Sequence, residues 1–185
     1  MRAFLDGLYR LSGGLAAMCL VSIALLVVAQ VSCRLIDGAR KLMGLDPLGL
    51  LVPSLAEIAG FLLVGASFLA LAATLRMGDH IRVSILLQHV SPRVAKLLEV
   101  WCLAVAFVLA CYFGWHAGWL AYDSLVYDEV SFGMIPIPLW IPQSVMTTGI
   151  VIFAISLGDD LLGALLGRAP SYTVAVRGDA IEGVE

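Results

Sequence analysis

The stretch Leu11–Cys33, LSGGLAAMCLVSIALLVVAQVSC, holds 23 residues without one formal charge. At ~1.5 Å of rise per residue it reaches about 34 Å as a helix, enough to cross a hydrocarbon core of ~30 Å. Lipid offers no water to the backbone N–H and C=O groups, so a helix, which satisfies them internally, is the form such a run takes. Three more runs follow. Ile58–Leu75 has 18 uncharged residues, and its apolar pattern extends back through the lone Glu57. Val100–Tyr122 has 23. Val130–Gly158 has 29, the first part of which carries Pro136, Pro138 and Pro142. None alternates polar and apolar residues as a transmembrane barrel strand does. The reading is an all-α membrane protein with four transmembrane helices, spanning about 11–33, 55–75, 98–122 and 139–160. These form one domain over residues 1–167, followed by a short polar tail over 168–185.

The composition agrees. Of 185 residues, 61% are apolar and 14% charged, and the mean hydropathy is +0.99. A soluble domain is nearer half apolar and one quarter charged. This excludes an ordinary soluble enzyme domain and a disordered chain. The net charge of -3 excludes the basic face a nucleic-acid binder needs. Arg2 and Arg10 precede the first run, as they would a signal peptide, but 23 apolar residues exceed a normal h-region and no A-x-A site follows. The first span is read as a retained anchor.

Lysine and arginine set the orientation. With the N-terminus inside, Arg2, Arg10, Arg76, Arg82, Arg93, Lys96, Arg168 and Arg177 lie on the inner side, against Arg34, Arg40 and Lys41 outside. Both termini are therefore expected in the cytoplasm. Tyr112, Trp115, Trp119 and Tyr122 form one stripe on the third helix. Its lower part, with Tyr127 and Trp140, falls near the outer interface, and Trp101 near the inner one.

The first loop places Leu35, Ile36, Ala39, Leu42 and Met43 on one helical face and Arg34, Asp37, Arg40 and Lys41 on the other. This predicts a short amphipathic helix in the interface plane, ended by Gly44 and Pro47. Ser91-Pro92 resembles an N-cap with Pro at the first helical position, restarting the third helix on the inner side. The segment Ser131–Trp140 is too proline-rich for a regular helix and is expected to run extended, with Pro142 opening the last helix.

The residues carry little chemistry. Cys19, Cys33, Cys102 and Cys111 form no C-x-x-C pair and read as small apolar residues. His80 and His89 lie in the inner loop and only His116 is inside a span, so the paired histidines of a membrane haem are missing. No nucleophile elbow, P-loop or dinucleotide fingerprint appears. No catalytic residue, cofactor or metal is expected, and the chain is not read as an enzyme. Glu57 is the one charge within an apolar run. An ionised carboxylate near lipid needs a partner, and Arg34 closes the first span on the same membrane side, so the two are expected to form an ion pair. The alternative is that Glu57 reaches interfacial water. Ala56 and Gly60, Ala66 and Ala70, and Gly114 and Gly118 are each four apart, the spacing that lets helix backbones approach closely in lipid.

Gly78-Asp79-His80-Ile81-Arg82-Val83, just after the second span, is similar to the G-x-H-I-R-V of the small permease (DctQ-type) subunit of TRAP transporters, the tripartite ATP-independent periplasmic carriers. Pro138-Leu139-Trp140-Ile141-Pro142 before the fourth span, preceded by Ser131, is a second likeness. Arg34 after the first span with Glu57 opening the second is a third. The resemblance covers about residues 10–165. The chain departs from it at Ser84, where the family often has an acid, and at Asp159 and Asp160, where it often has a basic residue. The resemblance implies a subunit of the bacterial inner membrane that binds no solute itself. Its partners would be the surrounding lipid, a large permease subunit driven by a sodium gradient, and a periplasmic protein that captures a small organic acid or similar solute. Arg34, Glu57, Gly78, His80, Ile81, Arg82, Val83, Pro138 and Trp140 are the interface residues it suggests. The alternatives are the small subunit of a tricarboxylate-type tripartite carrier and the membrane anchor of a redox enzyme.

Overall fold

The computed structural model describes residues 2–46, 48–77 and 92–166. Its first helix, α1 (Arg2–Leu42), takes in both the first apolar run and the amphipathic segment beyond it. The sequence predicts two helices here, one spanning and one lying in the interface. The structure corrects this to a single helix of 41 residues. Between Cys33 and Leu42 there is no proline, and the lone Gly38 costs only about 1 kcal/mol, so nothing interrupts the ladder. Ser32, a potential cap for a new helix, instead donates back to the Val28 carbonyl at 2.8 Å. At ~1.5 Å per residue α1 is about 61 Å long, twice the hydrocarbon thickness, so it tilts strongly or extends beyond the core.

Gly44 ends α1 as expected. Its φ of 72° lets Leu45 N–H reach the Arg40 carbonyl at 2.9 Å and Gly44 N–H reach that of Lys41 at 3.2 Å, a Schellman closure. The chain then runs back along α1. Leu48 N–H donates to Asp37 Oδ1 at 2.8 Å, and Val52 N–H to the buried Gln30 Oε1 at 2.8 Å. The second helix, α2 (Leu55–Met77), thus starts about three turns below the tip of α1.

The third helix, α3 (Pro92–Val126), begins at the proline that the Ser91-Pro92 pair marks. Asp128, with φ 49°, closes its far end, and Glu129 N–H donates to the Ser124 carbonyl at 3.0 Å. The last helix, α4, is Trp140–Leu165. It starts two residues before the expected Pro142, which falls in the first turn, where a missing N–H costs no intrahelical bond. These four helices are each long and apolar enough to cross a membrane.

They stand in the order α1, α2, α4, α3, as a row more than a closed bundle: α1 packs on α2, α2 on α4 and α4 on α3, with only a slight touch between α1 and α4. Burial follows this order. In the most apolar window of each helix, 33% of α2 and 39% of α4 is buried, against 11% of α1 and 6% of α3. Two apolar clusters hold the row. Leu75, Leu103, Ala110, Ala154, Leu157 and Ala164 join α2, α3 and α4, while Tyr9, Ala72 and Ile152 join α1, α2 and α4.

Candidate functional site

Small residues set how closely the helices meet. A Cβ on Gly149 would lie 2.6 Å from the carbonyl carbon and 2.7 Å from the carbonyl oxygen of Phe68, so α4 presses directly on the α2 backbone there. One residue on, the Leu69 carbonyl accepts a hydrogen bond from the buried Ser12 Oγ of α1 at 2.5 Å. A Cβ on Gly13 would lie 3.0 Å from the Ala73 Cβ, and one on Gly65 would touch both Cys19 of α1 and Val145 of α4. Residues 65–73 of α2 are therefore a waist gripped from both sides. On the other seam Gly114 and Gly118 of α3 meet Ile150 and Thr147 of α4. The spacing rule finds Gly114 and Gly118 but not Gly13, Gly65 and Gly149. The residues four away from Gly149 are Val145 and Phe153, so no paired motif exists. At Gly65 and Gly149 the available signal is an isolated glycine within an apolar helical run.

The connection between α3 and α4 closes one end of the row. It is not simply extended. Val130 and Pro138 form an antiparallel bridge, Ser131 N–H donates to the Ile137 carbonyl at 2.9 Å, and Leu139 N–H donates to that of Glu129 at 2.9 Å. The buried Ser131 Oγ accepts from Ile137 N–H at 3.1 Å. Prolines suit this shape because a single bridged turn uses few N–H donors. Ser124, fully buried, donates to Glu129 Oε2 at 2.6 Å and ties the turn to α3.

The turn is clasped to the start of α2. Ser54 has φ 54°, and its carbonyl accepts from Glu57 and Ile58 N–H. Its Oγ is turned away from its own helix and accepts from Ile135 N–H at 2.9 Å. Glu57 lies beneath Gly133, where an added Cβ would collide with Glu57 Oε2 and come within 2.8 Å of its carboxyl carbon and of Ser54 Oγ. Only a glycine lets the two segments approach this far.

Of the residues singled out from sequence, Glu57 and Pro138 fall in this clasp and bridge, and Trp140 opens α4 beside them. Arg34 is exposed in the C-terminal part of α1. Among the described residues it forms no ion pair with Glu57, whose Oε2 is buried without a hydrogen-bond partner. The expected pair is corrected: the carboxylate is directed under the α3–α4 turn, and Arg34 lies on the exposed surface of the continuous α1. Gly78, His80, Ile81, Arg82 and Val83, and the tail beyond residue 167, lie outside the described residues. Among the described residues no group of three or more His, Cys, Asp or Glu could hold a metal ion.

Four helices, each long and apolar enough to cross a membrane, stand in an open row with no metal-binding cluster among the described residues, the architecture of a multi-pass membrane protein. The chain belongs to the DctQ component family of the tripartite ATP-independent periplasmic transporters, whose family model matches residues 48–167. No curated protein and no solved structure matches it.

Proposed function

We propose that the chain is the small subunit that braces a large permease subunit in the bacterial inner membrane. The complex takes up a small organic acid or similar solute, driven by a sodium gradient and delivered by a periplasmic binding protein. The observation that carries this reading is the family match over residues 48–167. The open row supports it, because α1 and α3 leave most of their span surface uncovered by this chain. In lipid, helices associate through close packing and not through a hydrophobic driving force, so flanks of this size suit a bigger neighbour. The lysine and arginine distribution supports a topology with both termini in the cytoplasm and the clasp of Ser54, Glu57 and Gly133 on the periplasmic side.

Purification of the tagged chain from its native membrane tests this. Recovery with a large integral-membrane partner is expected, and recovery of the chain alone refutes it. Solute accumulation driven by the isolated chain in vesicles also refutes it. Arg82→Ala is expected to lower uptake through assembly while leaving the binding protein's affinity for solute unchanged.

A further inference from the structure

The α3 helix packs along one seam. Leu103, Ala110, Ala117 and Ser124 recur every seven residues and are buried, and the glycines of that side meet α4. At 100° per residue the opposite side carries Trp101, Val108, Tyr112, Trp115 and Trp119, each more than half exposed, with exposed His116 at its edge. Aromatic rings with polar tips normally sit at headgroup depth, where the tips are wet. Trp119 and Tyr122 fit this, with ring centroids 5.9 Å apart. Tyr112 and Trp115 do not. The span runs Lys96–Val126, which puts Tyr112 about 24 Å from one end and about 21 Å from the other. Trp115 and His116 are about one turn nearer the outer end. Helical side chains lean toward the N-terminus, here away from the nearer headgroups.

Three polar tips therefore lie at hydrocarbon depth on this side of α3: the Tyr112 hydroxyl, the Trp115 Nε1–H and the His116 imidazole. The Tyr112 and His116 rings are 4.5 Å apart, so they form one patch. Among the described residues none of the three tips has a hydrogen-bond partner. Lipid tails offer no acceptor, and an unmet polar group there is costly. We propose that Tyr112, Trp115 and His116 dock a transmembrane helix of the large permease subunit that presents carbonyl, hydroxyl or carboxylate acceptors at this depth. This rests on the assignment of the chain as the small subunit. The patch is the polar contact of that assembly, on the flank farthest from α1.

The test uses the complete complex in native membranes. With the photoreactive residue p-benzoylphenylalanine in place of Trp115, illumination is expected to give an adduct with the large subunit. Adducts only with lipid or with a second copy of this chain overturn the proposal. The variant Tyr112→Phe/His116→Leu removes two hydrogen bonds opposite the packed seam. One interhelical bond in a membrane averages about threefold in affinity, so co-purification of the large subunit is expected to fall nearly tenfold. Unchanged co-purification overturns the docking patch. Should the double variant fail to fold, the crosslink from the otherwise unaltered chain decides. Failure of the wild-type chain to bring down any large subunit overturns the functional assignment and this proposal together. Co-purification by wild type with no adduct from position 115 overturns this proposal alone.

Discussion

Replacing Gly149 by alanine adds a methyl group at a point already filled by another helix's backbone. The new Cβ meets the Phe68 carbonyl carbon at 2.6 Å, its oxygen at 2.7 Å and the Leu69 nitrogen at 2.9 Å. Carbon atoms pack at ~3.5–4.0 Å, so the shortfall is about 1 Å. The obstacle is a hydrogen-bonded helix that cannot rotate aside, and α4 must retreat from α2. A retreat of ~0.5–1 Å forfeits a quarter to a half of each contact across the seam, including that of Val145 on Gly65. Overpacking typically costs ~1–3 kcal/mol, and a backbone obstacle falls in the upper half of that range. Helix propensity favours alanine over glycine by about 1 kcal/mol. The net expectation is a loss of ~1–2 kcal/mol. Reversible unfolding of the purified chain in dodecyl maltoside–SDS mixed micelles, followed by helical circular dichroism, measures it. Gly14→Ala is the control, because nothing lies within 4 Å of a Cβ there, and it is expected to be neutral or stabilising by up to about 1 kcal/mol. If Gly149→Ala matches Gly14→Ala, the close approach of α4 to α2 is wrong.

The contacts around the start of α2 give three further expectations. Gly133→Ala drives a methyl into Glu57 and should open the 127–139 turn to added protease, whereas Gly133→Ala/Glu57→Ala should restore protection. The charge swap Arg34→Glu/Glu57→Arg should not recover the assembly lost in either single variant, measured as co-purified large subunit, because no ion pair joins these residues in the described structure. Gln30→Leu leaves the Val52 N–H without its acceptor and should cost ~1–3 kcal/mol, with faster hydrogen exchange at amide 52.

The four long apolar helices of the described residues could be read from charge spacing alone, because the penalty for unmet backbone groups in lipid leaves a long uncharged run one regular conformation. Single-residue geometry was legible too where the chemistry is local. Gly44 supplies the left-handed turn that ends α1, and Pro92 the preset φ that starts α3. The continuity of α1 was less legible, since amphipathic patterning shows which face is apolar but not whether the ladder breaks. The Arg34–Glu57 expectation failed for a related reason: membrane side can be counted, but the direction of a side chain depends on what packs beside it.

What the sequence determined by itself is therefore a four-span all-α chain, its capping residues and its kinship, since these follow from hydration, backbone geometry and local motifs. Tertiary structure alone decided the row order α1, α2, α4, α3, the grip on residues 65–73 of α2 and the clasp of Gly133 over Glu57. Each of these requires two distant segments to come within atomic contact. In lipid such pairing is chosen by steric fit between whole helix faces, which no linear spacing encodes.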